Sequence, residues 1–94
     1  MKLLLVEDNE EFALWLSKAL RTERFEVECV YDGATAILRL EQSQYDLLLL
    51  DLRLPGMDGR NVLRSIRRRR NDMPVLVVTA NASRSRNSRA RTGR

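Results

Sequence analysis

The chain has 94 residues, 44% of them hydrophobic and 32% charged, which is the composition of one small globular domain. Its apolar runs, such as 47–50, are far too short to cross a bilayer, so the sequence predicts no membrane association. The net charge of +4 arises at the carboxyl end, because residues 1–80 have a net charge of −1 while residues 81–94 contain five arginines and no acid.

The first 30 residues predict a strand, a helix and a second strand. The apolar run 3–6 is typical of a strand buried on both faces, and the polar residues Glu7-Asp8-Asn9 after it can cap a helix. Over 10–22, apolar residues recur at helical spacing with charged residues between them. Residues 25–30 alternate between apolar and polar, which predicts a strand near the edge of a sheet.

The same alternation of strand and helix continues to residue 80. A turn at 32–33 precedes a second helix, and 45–50 is the most apolar strand, which we place at the centre of the sheet with Asp51 at its end. The Pro- and Gly-containing segment 52–59 predicts a loop. A third helix ends in arginines 67–70, which suit a helix carboxyl end, and a fourth strand at 75–78 is followed by Thr79.

This order of elements predicts an α/β fold, in which a parallel sheet is covered by helices on both faces. The periodic pattern ends at residue 80. Residues 81–94 have no apolar periodicity and are mostly Arg, Ser and Asn, so they cannot bury enough surface to offset their loss of entropy on ordering. We therefore predict a domain at 1–80 followed by a basic, disordered tail at 81–94.

Three acids stand at positions where they can meet. In an open α/β sheet, ligands bind at the carboxyl ends of the strands, where Glu7, Asp8 and Asp51 lie if the first and third strands are neighbours. Three carboxylates within roughly 5 Å repel one another by several kcal/mol, and a hard divalent cation such as Mg²⁺ removes that cost. The alternative is that Asp8 only caps a helix and Asp51 only begins a turn.

An aspartate beside such a cation is also a possible nucleophile toward phosphoryl groups. Haloacid-dehalogenase-type phosphatases share this arrangement but place a second aspartate two residues after the nucleophile. Arg53 occupies that position here, which argues against a hydrolase. We therefore do not expect an enzyme in the ordinary sense.

The segments 6–9, 48–59 and 75–80, which read VEDN, LLLDLRLPGMDG and VLVVTA, resemble the receiver domains of two-component response regulators, in particular the OmpR-like transcriptional regulators. The resemblance covers residues 1 to about 80. It implies a flavodoxin-like (CheY-like) fold, incomplete here, with four strands in the order 2-1-3-4 and three helices.

The resemblance also implies a role for each matching residue. Asp51 would accept a phosphoryl group from a sensor histidine kinase. Asp8, Asp51 and the carbonyl of Arg53 would bind Mg²⁺, with Glu7 acting largely through water. Thr79 would donate its hydroxyl to the phosphoryl group, and Pro55 and Gly56 would shape the loop beside the acceptor.

The chain departs from the family after Ala80. The resemblance implies a further lysine that contacts the phosphoryl group, but the lysines here are Lys2 and Lys18. We expect a truncated, impaired receiver that reaches DNA only through a missing effector domain. Its fourth strand would be an open edge that favours self-association.

Two other functions stay open. The chain could bind a kinase or an intact regulator without being phosphorylated. It could also bind nucleic acid through its arginines, without sequence preference because the tail has no aromatic residue. The single Cys29 cannot form an internal disulfide, which fits a cytoplasmic protein.

Overall fold

The computed structural model describes residues 1–54, 59–69, 72–78 and, as backbone alone, 91–93. Strands and helices alternate along the chain, with bounds as follows: β1 (Lys2–Val6), α1 (Glu10–Thr22), β2 (Glu26–Val30), α2 (Gly33–Gln42), β3 (Leu47–Asp51), α3 (Gly59–Arg69), β4 (Val75–Val78) and β5 (Arg91–Gly93). The first seven elements confirm the predicted β-α-β-α-β-α-β pattern.

The strands form one sheet in the order β2-β1-β3-β4-β5. The first four are parallel to one another, which confirms the predicted order 2-1-3-4. The alternating strand β2 lies at an edge, and the most apolar strand, β3, lies between β1 and β4. Parallel neighbours require a crossover connection, and each helix supplies one.

Side chains that alternate along the strands fill two apolar layers, one on each face of the sheet. Leu4 and Leu48 belong to a core packed with residues of α2 and α3. Leu3 and Leu49, on the opposite face, pack with Ala13 of α1. The predicted coverage of both faces by helices is confirmed, and it is why the central strands are apolar almost throughout.

The tail differs from the prediction in one respect. Arg91–Gly93 forms β5, which pairs antiparallel with β4, so Leu76 faces Thr92 across the pair. The prediction of disorder is therefore wrong for these three residues, and the outer edge of β4 is not open along Val75–Val77. Strand pairing uses backbone groups and needs no apolar side chain, so the composition of this segment gave no sign of it. Residues 79–90 and 94 lie outside the described residues, so their disorder stays a prediction.

Candidate functional site

The parallel pairing of β1 with β3 brings the three predicted acids together. Val6 faces Leu50 in this register, so the next residues along the two strands, Glu7 and Asp51, emerge side by side. Carboxylate oxygens of Glu7, Asp8 and Asp51 lie within 4.8 Å of one another. The sequence therefore predicted the position of this acidic cluster correctly.

Glu7 is held rigidly at the end of β1. Its backbone N–H donates to the carbonyl of Val30 at 3.0 Å, and its side chain is only 2% exposed. One of its carboxylate oxygens, Oε2, accepts the backbone N–H of Asn9 at 3.0 Å. Burial and this hydrogen bond fix the carboxylate where it faces the cluster.

The cap of α1 is Asn9 rather than Asp8. The Asn9 side chain accepts the backbone N–H of Phe12 at 2.9 Å, which satisfies one of the unpaired donors of the first helical turn. Asp8 is exposed, and its carboxylate belongs to the acidic cluster. The alternative in which Asp8 only caps the helix is wrong.

Asp51 is the last residue of β3 and is 3% exposed. Its Oδ1 accepts the backbone N–H of Arg53 at 3.0 Å, which ties the carboxylate to the turn after the strand. A carboxylate oxygen remains available to face Glu7 and Asp8. The geometry is that of a buried acid presented at the carboxyl edge of the sheet.

Gly59 supports this turn from the other side, a role that the sequence analysis missed by assigning it to a loop. It is the first residue of α3, and its N–H donates to the carbonyl of Leu52 at 3.1 Å. A Cβ atom at this position would lie 2.6 Å from Leu52 Cα and 2.9 Å from the carbonyl oxygen of Asp51. Only glycine lets α3 approach the end of β3 so closely.

Burial and mutual repulsion make this cluster costly in its ionised form. Burial is the main cause that raises the pKa of Glu7 from its usual 4.5 to about 7, and the negative charge of Asp51 adds to the effect. Burial also raises the pKa of Asp51, again with a contribution from a neighbouring carboxylate, that of Asp8. Near neutral pH the cluster therefore binds a proton that isolated carboxylates would release.

This donor set fits a hard divalent cation. Three carboxylates offer oxygen ligands within 4.8 Å of one another, and carboxylate oxygens are the ligands that hard cations such as Mg²⁺ take. Arg53 follows the cluster, and its carbonyl as a further ligand stays a prediction. Thr79, Pro55 and Gly56 lie outside the described residues, so their roles also stay predictions.

Both lysines of the chain lie away from the acids. Lys2 begins β1, at the opposite end of the strand from Glu7, and its ammonium group lies 4.9 Å from the centre of the Tyr45 ring. Lys18 is exposed in the second half of α1. Neither provides the phosphoryl-contacting lysine that the resemblance implies.

Comparison with known proteins agrees with this geometry. The model of the response regulator receiver domain family matches residues 3–92. The chain belongs to this family, and its acidic cluster lies at the carboxyl edge of a parallel sheet, where such a fold binds ligands.

Relatives and solved structures extend the comparison. The chain is 47% identical over 83 residues to the transcriptional regulatory protein TctD of Salmonella typhimurium, a match that covers 88% of this chain and 37% of the relative. The chain thus spans little more than a third of that protein. A solved structure with a similar fold is the receiver domain of sensor histidine kinase PA1611 from Pseudomonas aeruginosa, which has magnesium in its active-site cleft. It is 36% identical to this chain with a TM-score of 0.81, and the match covers 89% of this chain and 70% of that domain.

A third match bears on partners. A crystal structure of histidine kinase ThkA in complex with response regulator TrrA contains a chain 29% identical to this one, with a TM-score of 0.80 and coverage of 84% here and 68% there. Within the described residues, no helix is long and apolar enough to cross a membrane.

Proposed function

We propose that Asp51 accepts a phosphoryl group from the phosphohistidine of a sensor histidine kinase, in a cytoplasmic signalling pathway whose output is transcription. The observation that carries the proposal is the convergence of Glu7, Asp8 and buried Asp51 within 4.8 Å at one edge of the sheet. The named function of TctD and the kinase complex of TrrA support the partner and the output.

Asp51 would act as the nucleophile. One of its carboxylate oxygens attacks phosphorus as the bond to the donor nitrogen breaks, so the phosphoryl group moves from nitrogen to oxygen. The attack requires ionised Asp51, and the Arg53 N–H at 3.0 Å favours that form. Gly59 fixes the turn after Asp51 by letting α3 pack directly on the backbone of Leu52.

Glu7, Asp8 and Asp51 would hold Mg²⁺, with the Arg53 carbonyl as a further ligand and Glu7 acting largely through water. When bound, the ion supplies positive charge that offsets the phosphoryl oxygens and the acids together. Thr79 would donate its hydroxyl to the transferred group, and Pro55 and Gly56 would shape the loop beside it.

Labelling with a small-molecule phosphodonor in the presence of Mg²⁺ tests the acceptor. The wild-type chain should gain one phosphoryl group, detected by intact mass, while Asp51→Asn should gain none. Asp72→Asn, which removes an exposed acid outside the cluster, is the matched control and should be labelled like the wild type. Equal labelling of wild type and Asp51→Asn would show that the acceptor is wrongly assigned.

The positions of Lys2 and Lys18 favour a second candidate, in which the chain binds a kinase or an intact regulator without being phosphorylated. Loss of one donor to developing charge commonly costs about a hundredfold in rate. Slow labelling of Asp51 supports the first function. No labelling, combined with kinase binding that is the same for wild type and Asp51→Asn, supports the second.

A further inference from the structure

Charge is divided unequally along this chain. Residues 59–94 contain eleven arginines and one acid, Asp72, for a net charge of +10. Residues 1–58 contain six cations and twelve acids, for a net charge of −6. The small total of +4 therefore conceals two halves of opposite sign.

Parts of these two halves lie at opposite edges of the sheet, although the halves also meet where Arg69 of α3 pairs with Glu41 of α2 at 3.0 Å. Val62 and Ile66 of α3 share an apolar core with Val75 of β4, and β4 pairs with β5, which contains Arg91. The basic elements α3 and β5 thus lie toward one edge of the sheet. The opposite edge is β2, against which α1 packs, and these two elements contain four acids and two cations: Glu10, Glu11, Glu26 and Glu28 against Lys18 and Arg21.

Helix α3 presents a regular row of positive charge. Arg60, Arg64 and Arg68 are four residues apart and all exposed, and we call them the α3 arginine stripe. A rise of 1.5 Å per residue places successive members about 6 Å apart along the helix axis, so the stripe is about 12 Å long. Arg64 of this stripe donates to the side-chain oxygen of Asn61 at 2.8 Å, so its guanidinium is held beside the helix. The remaining described arginines of α3 contact other elements, Arg67 the Met73 carbonyl at 2.9 Å and Arg69 the carboxylate of Glu41 at 3.0 Å.

We propose that the α3 arginine stripe binds the sugar–phosphate backbone of duplex DNA without reading its sequence. One DNA strand carries a charge about every 3.4 Å, so a stripe of about 12 Å runs beside three or four phosphates. Arginine suits phosphate because its planar guanidinium donates two parallel hydrogen bonds. Helix α3 has no acid to repel phosphates and no aromatic residue to stack on bases.

The spacing favours DNA over an acidic protein surface. A duplex offers a long, regular row of negative charge, which a regular row of arginines matches along its whole length. An acidic protein surface, such as the β2–α1 side of a second copy of this chain, is the competing partner. Binding of that surface is an outcome of the test below.

Fluorescence anisotropy of labelled duplexes tests the proposal with the 94-residue chain. Two duplexes of unrelated sequence should bind alike, with Kd on the order of 10⁻⁶ to 10⁻⁴ M near physiological salt and a steep loss of affinity as NaCl rises. In Arg64→Gln/Arg68→Gln, the slope of log affinity against log salt should fall in magnitude by about 2, because two phosphate contacts are lost. Lys18→Gln/Arg24→Gln removes two exposed charges from the acidic half and should keep the wild-type slope.

Circular dichroism establishes that each variant is folded before it is scored. An unchanged slope in Arg64→Gln/Arg68→Gln would overturn the proposal, because any binding would then come from elsewhere. Equal losses in the two double variants would also overturn it, since net charge alone would explain them. Binding of poly-glutamate as tightly as DNA would assign the stripe to an acidic protein surface instead.

Discussion

Replacement of Glu7 by glutamine should stabilise the chain at neutral pH when no divalent cation is present. Glu7 is almost fully buried and lies beside Asp51, and its pKa is raised from 4.5 to about 7, chiefly by burial. Glutamine keeps the oxygen that accepts the Asn9 N–H and removes the charge. Its amide group can also donate to the neighbouring carboxylates.

The size and sign of the effect follow from proton linkage. Because the pKa of Glu7 is higher in the folded chain, the protonated form stabilises the fold fully below pH 4.5, and this contribution is lost as pH rises to about 7. The difference between the ordinary pKa of 4.5 and the folded value of about 7 corresponds to about 3 kcal/mol of unfolding free energy, at 1.36 kcal/mol per pKa unit. This is a large share of the roughly 5–15 kcal/mol that stabilises a typical domain.

Urea unfolding at several pH values, with EDTA present, measures the effect. Between pH 4.5 and pH 7.5 the advantage of Glu7→Gln over wild type should grow from near zero to about 3 kcal/mol. Glu26→Gln, which neutralises an exposed acid on β2, is the matched control and should track the wild type. If Glu7→Gln kept the same pH dependence as the wild type, burial of a costly carboxylate at this position would be refuted.

Three further predictions concern the support of the acidic cluster by Gly59, a buried hydroxyl at the other end of the sheet, and Asp51 itself. Gly59→Ala should lower the unfolding free energy by about 1–3 kcal/mol in thermal unfolding, because the added Cβ would lie 2.6 Å from the Leu52 backbone and this clash outweighs the helix propensity of alanine. The substitution should also slow labelling of Asp51, and unchanged stability would contradict the close approach. Tyr45→Phe should cost about 1 kcal/mol, because the buried hydroxyl donates to Glu28 at 2.6 Å. Asp51→Asn should weaken Mg²⁺ binding, followed by amide shifts or Trp15 fluorescence, and equal affinity would exclude Asp51 as a ligand.

Much of the fold was predictable because burial leaves a pattern in the sequence. Leu3–Val6 and Leu47–Leu50 are apolar throughout because helices cover both faces of β1 and β3. Glu7 and Asp51 could be placed side by side for a similar reason, since parallel strands end at the same edge of a sheet. Two strand ends with acids were enough to locate the cluster.

Features set by the backbone were not predictable in the same way. The strand Arg91–Gly93 pairs through N–H and C=O groups that every sequence has, so neither its composition nor its charge indicated it. The need for glycine at position 59 depends on the closeness of the Leu52 backbone, which only the folded chain shows. The Asn9 cap was foreseeable as one of three polar candidates after β1, and selecting it required the hydrogen bond to Phe12.

The stability and the proposed chemistry of this chain have one physical origin. Burial of Glu7 and Asp51 beside Asp8 destabilises the ionised fold, and a cation that binds only the folded chain offsets that loss by an amount that grows with the logarithm of its concentration over its Kd. The advantage of Glu7→Gln over wild type in unfolding free energy, measured with EDTA, should therefore shrink as Mg²⁺ is added. The wild type gains more from the ion because it has one carboxylate more than the variant. Because the empty site lowers the unfolding free energy of the chain, binding of the ion changes the stability of the whole fold. If the advantage of Glu7→Gln over wild type were as large in saturating Mg²⁺ as in EDTA, the ion would bind both chains equally well, and Glu7 would be excluded as part of its site.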